Sequence, residues 1–219
     1  MRRSASGTAA AALRGDAGSR AIGFVGDNAR LVEALRERHP TAIAAFYDRF
    51  APRMLRIMAR IMGQNHELED ALHDAFMRAL GAIGTLADPS RLDGWMTSVT
   101  VLTARTWLRR RWRHRWLTFM APDDIAELAH AATVPEPAIA EALRATYTVL
   151  DRLGTRDRVF FALRYIEGME LEAIASACQT SLTTVKRRLK RAETRFAAIA
   201  RNQPALAEWV EEGGRWRRI

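Results

Sequence analysis

Between Arg105 and Arg115 there are six arginines and no acid, with Trp107, Trp112 and Trp116 set among them. Guanidinium groups neutralise phosphates, and an aromatic face stacks on an unpaired base for about 1–3 kcal/mol. Trp95, Ser98, Arg105, Arg109, Arg110, Arg111 and Arg113 are the candidate contacts here. A second basic run carries Lys186, Arg187, Arg188, Lys190, Arg191 and Arg195 against the single acid Glu193, and it opens with Thr183 and Thr184. Those hydroxyls cap a helix or reach phosphates and base edges, while the cations behind them meet phosphates. A solvated basic face is the lesser alternative for the second run, and a helix lying on a membrane is the alternative for the first. Nucleic acid is the better reading of the first, because its apolar residues Leu102 and Leu108 are needed to complete a core. Each tryptophan singly reads as a packing residue before it reads as a stacking platform.

Catalytic constellations are not found. His66, Glu67 and Asp70 begin like a zinc-binding His-Glu-x-x-His helix, but the second histidine is missing, and acids at a helix start explain them. Glu69 and His73 are spaced to pair on a helix surface. No glycine-rich phosphate loop, Gly-x-Ser-x-Gly elbow or Cys/His pair is present. The single cysteine, Cys178, excludes an internal disulfide and a multi-thiolate zinc site, and it reads as a small core residue. No enzymatic activity, metal or cofactor is expected. One cysteine suits a reducing cytoplasm, and no apolar run approaches the roughly 18–20 residues that span a bilayer. The stretch Ala9–Leu13 is too short for a secretory signal core.

The elements that must position these residues are helical. The chain has 219 residues, 48% apolar and 27% charged, with a net charge of +9. That balance is globular and directed at polyanions. Strand signals are thin. Residues 1–28 read as a flexible tail rich in Ala, Gly and Ser. From Ala29 a helical period runs through Leu31, Leu35, Ala42 and Phe46, with Pro40 ending one helix and starting another. Leu55, Met58, Ala59 and Met62 continue the stripe to a stop at Gly63. A further helix after Asn65 has acids in its first turn and buries Leu68, Leu72, Ala75, Phe76 and Ala79. A long helix follows, from Leu92 or Gly94 to about Trp116. Phe119–Pro137 has four acids, three prolines and no Lys or Arg, so it reads as an acidic linker with one short helix near Ile125–His130. Helices then cover Ala138–Leu153, Thr155–Ile166, Glu170–Cys178 and Leu182–Ile199, and a short one lies near Leu206–Val210. The expected architecture is all-α, with two small helical domains (29–118 and 138–203), the linker between them and a tail from 204 to 219.

Ile174, Ala175, Cys178, Leu182, Val185 and Leu189 are spaced to bury one side of two short helices crossing at a tight turn, a helix-turn-helix. Ala175 is placed where the two helices approach closely. With Leu153–Phe160, Leu163–Met169, Glu172–Ala175 and Thr184–Leu189, this stretch resembles the fourth conserved region of bacterial RNA polymerase sigma factors. The compact size matches their extracytoplasmic-function (ECF) subfamily. Glu69–Leu80 resembles the helix of the second conserved region that docks on the polymerase clamp, and Gly94-Trp95-Met96 with the long helix resembles the part that opens and reads the −10 element. The resemblance implies a sigma factor that binds core RNA polymerase through Glu69, Asp70, His73, Asp74 and Phe76. It further implies −35 recognition by Thr183–Arg191, promoter DNA as ligand, and an anti-sigma factor as partner. Three departures stand out. Gln179 replaces the glycine usual in the turn, Cys178 replaces a larger aliphatic residue, and Val101-Leu102 with Thr106 replace polar positions of the melting helix. A stand-alone helix-turn-helix regulator would account for the second domain only. A sigma-like adaptor that does not open promoters would account for the third departure.

Overall fold

The computed structural model describes residues 27–118 and 137–206. Most of the expected tails, nearly all of the acidic linker with its short helix, and most of the helix near Leu206–Val210 lie outside the described residues, as do the side chains of Arg115 and Trp116. Every element described is helical.

Helix α1 (Asn28–Arg36) is capped by Asp27, whose carboxylate accepts from the Arg30 N–H at 3.0 Å. Helix α2 (Pro40–Met62) takes proline at its first position, where a missing N–H costs nothing. It runs on through Pro52, which sits on the exposed side. It stops at Gly63, whose φ of 80° is a conformation side chains resist. The buried stripe of α2 is Phe46, Phe50, Met54, Ile57, Met58 and Ile61. Leu55, expected in that stripe, is exposed instead. A stripe of Met54, Ile57, Met58 and Ile61 already fills the 3.6-residue period and leaves Leu55 pointing away.

Asn65 bridges to the next helix, its amide donating to the Gly63 carbonyl at 2.8 Å and its oxygen accepting from the Glu67 N–H at 2.9 Å. Helix α3 (Leu68–Ala82) follows, with Glu69 and Asp70 in the first turn, where the helix dipole favours anions. A short 3-10 turn (Pro89–Arg91), capped by Asp88, leads into the long helix α4 (Leu92–Thr118). The first half of α4 is buried nearly all round. Leu92, Met96, Val101 and Ala104 are covered, and so are Thr97, Ser98, Thr100 and Thr103. Burying hydroxyls is tolerable because Thr97 donates to the Asp93 carbonyl at 2.9 Å and Thr100 to the Met96 carbonyl at 2.8 Å.

The second module comprises α5 (Pro137–Asp151), α6 (Thr155–Phe161, continuing as a π turn over Ala162–Ile166), α7 (Leu171–Ala177) and α8 (Leu182–Ala200). Its own core joins Val149, Leu150, Leu153, Phe161, Ala192, Phe196 and Ala200, with the Phe161 and Phe196 rings stacked at 4.4 Å. Its other side joins Val159, Phe160, Leu163, Ile174, Val185 and Leu189 to the core of the first module. The two modules are therefore docked, with α4 touching both α6 and α7.

Candidate nucleic-acid interface

Ser181 opens α8 as its N-cap, its hydroxyl accepting from the Thr184 N–H at 3.3 Å. The turn before it holds Gln179 at φ 50°, the left-handed conformation that glycine would adopt without strain. The turn closes by hydrogen bonds from Gln179 N–H to the Ser176 carbonyl (3.1 Å) and from Thr180 N–H to the Ala175 carbonyl (2.9 Å). Ile174 and Ala177 pack on Val185 and Leu189. Ala177 is fully buried in the shared core, and Ala175, expected where the two helices approach, is half-buried against it. Cys178 is half-buried, and burial pushes its thiol up to about 12, so it is protonated at neutral pH. That fits a packing role.

The cations of α8 divide into two sets. Asp157 of α6 is 3% exposed and carries Arg188 (3.2 Å), Arg191 (3.1 Å) and Arg195 (3.6 Å). A buried carboxylate needs such partners, and their convergence fixes α8 against α6. Lys186, Arg187 and Lys190 are exposed and make no ion pair among the described residues; Thr183 is exposed beside them. These four form the open basic face.

Along α4, Arg109, Arg110 and Arg113 are exposed. Arg111, expected among the DNA contacts, is committed elsewhere. Its guanidinium is paired with Glu67, with Nε at 2.8 Å, and reaches the Met62 carbonyl at 3.5 Å. It joins α4 to the loop after α2 and has little capacity left for a phosphate. Ser98, another expected contact, is 8% exposed, with its Oγ 3.2 Å from the Gly94 carbonyl and 3.3 Å from the Ser176 carbonyl of α7. Trp95 is half-buried against the core. Arg105 is half-buried, and desolvation together with the Arg156 and Arg109 charges lowers its pKa. Trp107 donates to Asp74 at 3.1 Å, and Arg110 lies 5.8 Å above its ring, so it packs as expected. Trp112 is 52% exposed.

On α3, Glu69, Asp70 and His73 are exposed, without an ion pair between Glu69 and His73. Asp74 is half-buried. Its burial would raise its pKa, but hydrogen bonds from Arg78 and Trp107 and the charges of Arg78 and Arg110 outweigh that and hold it below the usual carboxylate value. Phe76, expected as a docking residue, is 5% exposed, packed edge-on against Phe46 at 5.6 Å and against Tyr47 at 4.7 Å. Its position on the buried stripe of α3 takes it out of reach of a partner. Two exposed apolar residues beside it escaped the sequence reading: Met77, 56% exposed, and Tyr47. The signal for Met77 was an apolar residue off the stripe of Leu72, Ala75, Phe76 and Ala79.

Residues 46–114 match the family description Sigma-70 region 2, and residues 143–196 match Sigma-70, region 4. The chain is 33% identical over 142 residues to the probable RNA polymerase sigma factor RfaY of Xanthomonas campestris, a match covering 62% of this chain and 33% of that one. It is 27% identical over 186 residues to the RNA polymerase sigma-H factor of Pseudomonas aeruginosa, covering 82% of this chain and 95% of that one. The chain thus spans about a third of the first relative and nearly all of the second. In fold it is similar to CnrH, solved with the cytosolic domain of CnrY (TM-score 0.51, 20% identity, 78% of this chain and 94% of that one). It is also similar to RpoE of Bartonella quintana, solved with the anti-sigma factor NepR (TM-score 0.53, 19% identity, 72% and 97%).

Proposed function

This chain belongs to the sigma-70 family of bacterial RNA polymerase sigma factors, in its extracytoplasmic-function branch, and from that premise we propose that it binds core RNA polymerase, directs it to promoters and helps open them. The observation that carries the proposal is the pairing of two basic helical surfaces on separate modules, α8 within region 4 and the Arg105–Arg113 stretch of α4 within region 2. Phosphate contacts position a protein on the duplex and base-edge contacts specify sequence. In α8, Thr183 and Thr184 stand at the N-terminal end that enters a major groove, with Lys186, Arg187 and Lys190 behind them to hold the backbone. Arg109, Arg110 and Arg113 supply the same sequence-independent grip for the −10 stretch. The polymerase-facing surface on α3 is Glu69, Asp70 and His73, enlarged by Met77 and Tyr47.

Polymerase performs the phosphoryl chemistry, and this chain contributes position. The protein acts in the cytoplasm, and no helix among the described residues is long and apolar enough to cross a membrane. Two structural relatives were solved with a second protein, one of them an anti-sigma factor, and a partner of that class is proposed here as well. Co-purification with core polymerase tests the assignment. Retention of the full chain, reduced by Met77→Asp with Glu69→Lys, is the expected result, and failure to associate returns the reading to a stand-alone helix-turn-helix regulator.

A further inference from the structure

We propose that Asp157 is a positioning residue for promoter reading. By holding Arg188, Arg191 and Arg195 it keeps three of the six cations of α8 off DNA phosphates, and so sets how strongly the helix prefers its own sequence over any other duplex. This rests on the reading of α8 as the helix that meets the −35 element.

Successive residues of a helix turn by about 100°, so Arg188, Arg191 and Arg195 share one stripe of α8, and Thr183, Lys186, Arg187 and Lys190 share another. Asp157 Oδ1 takes Arg188 Nη1 at 3.2 Å, and Oδ2 takes Arg191 Nε at 3.1 Å and Arg195 Nη1 at 3.6 Å. The carboxylate is 3% exposed, whereas the side chains of Arg191 and Arg195 are 53% and 50% exposed. Solvent reaches both arginines, and what restrains them is the acid rather than burial. Arg188, 22% exposed, lies deeper. A buried carboxylate left without partners is costly, so a phosphate that draws an arginine away works against that cost. The acid does not follow the arginines outward, because α6 is fixed to α8 by the stacked rings of Phe161 and Phe196.

Phosphate contacts carry no sequence information, and each one releases counterions from any duplex alike. With Thr183 and Thr184 at base edges α8 has one register in the groove, and in that register the stripe facing α6 is turned to the side. On a random duplex no register is imposed, and unrestrained arginines on that stripe would find phosphates. Freeing them therefore raises non-specific binding more than specific binding. Against a large excess of competing sites the quantity that matters is the ratio of the two, and Asp157 protects that ratio by occupying the arginines.

The test uses the full chain as wild type, Asp157→Asn, the pair Arg191→Gln/Arg195→Gln (which leaves Arg188 on the acid and so protects folding), and all three changes together. Fluorescence anisotropy measures binding to a short mixed-sequence duplex across a range of salt concentrations, and circular dichroism checks folding. Asp157→Asn is expected to bind about tenfold more tightly at low salt and to steepen the slope of log affinity against log salt by about 1.8, at about 0.9 for each of two arginines released. The arginine pair is expected to leave the wild-type slope unchanged and, combined with Asp157→Asn, to abolish the gain. A purely structural role for Asp157 predicts weaker binding instead. Weaker or unchanged binding by folded Asp157→Asn overturns the proposal, and so does a slope reduced by the arginine pair alone. Run-off transcription with core polymerase from a promoter library is followed in parallel, with random duplex as competitor. Wild-type transcripts are expected, and about tenfold less competitor is expected to suppress those of Asp157→Asn. Absence of wild-type transcripts strikes the reading of α8 as the −35 helix, whereas transcripts with unchanged competition strike the role of Asp157 alone.

Discussion

Asp157 decides which arginines of α8 are free to meet DNA. It is buried and engages Arg188, Arg191 and Arg195, leaving Lys186, Arg187 and Lys190 exposed and without an ion pair among the described residues. Two variants separate these roles. Replacing Lys186, Arg187 and Lys190 together by alanine is expected to reduce the slope of log affinity against log salt by about 2.7, at about 0.9 for each phosphate no longer neutralised, with the melting temperature unchanged. Asp157→Asn is expected to destabilise by about 1–3 kcal/mol, because three guanidinium groups lose a charged partner; thermal unfolding of the full chain measures it. Asp74 gives a pH prediction. Its folded pKa lies below the ordinary value of 3.8, so it contributes stability above that value which is lost as pH falls through the folded pKa. Asp74→Asn should lower stability at neutral pH and flatten the loss in acid, which urea unfolding midpoints across that range would record.

At the scale of elements, the period of apolar residues made most helices legible, down to the break at Pro40 and the stop at Gly63. The helix-turn-helix was legible for the same reason, and Gln179 does adopt the positive φ that a turn glycine would supply. Gln179→Gly is expected to relieve about 1 kcal/mol of backbone strain and raise the melting temperature by about 2–4 °C for a chain of this size. A drop in melting temperature would show that the turn is not strained. Leu55, Phe76, Ser98 and Arg111 were harder to place, since each depends on a surface that sequence spacing does not specify. Phe76 and Leu55 turn on which of several apolar residues fills a stripe. Ser98 and Arg111 turn on contacts with residues distant in the chain, namely Ser176 of α7 and Glu67 in the loop before α3. The six arginines between Arg105 and Arg115 look equivalent in the sequence, yet Arg109, Arg110 and Arg113 are exposed, Arg111 is ion-paired, and Arg105 lies under the second module.

For the whole molecule, composition and two basic runs pointed to nucleic acid and to two helical modules, but they gave no hint that the modules share a core. That arrangement arises from single residues with no periodic signature: Arg158 on the end of α2, Tyr147 against Gly63, and Glu167 between two arginines. The most direct measurement is run-off transcription by purified core polymerase on a library of duplex promoters, with and without this chain. Transcripts are expected from a defined subset sharing −10 and −35 sequences, dependent on Lys186, Arg187 and Lys190. No chain-dependent transcript from any duplex, with core polymerase still bound to the chain, would contradict the sigma-factor reading.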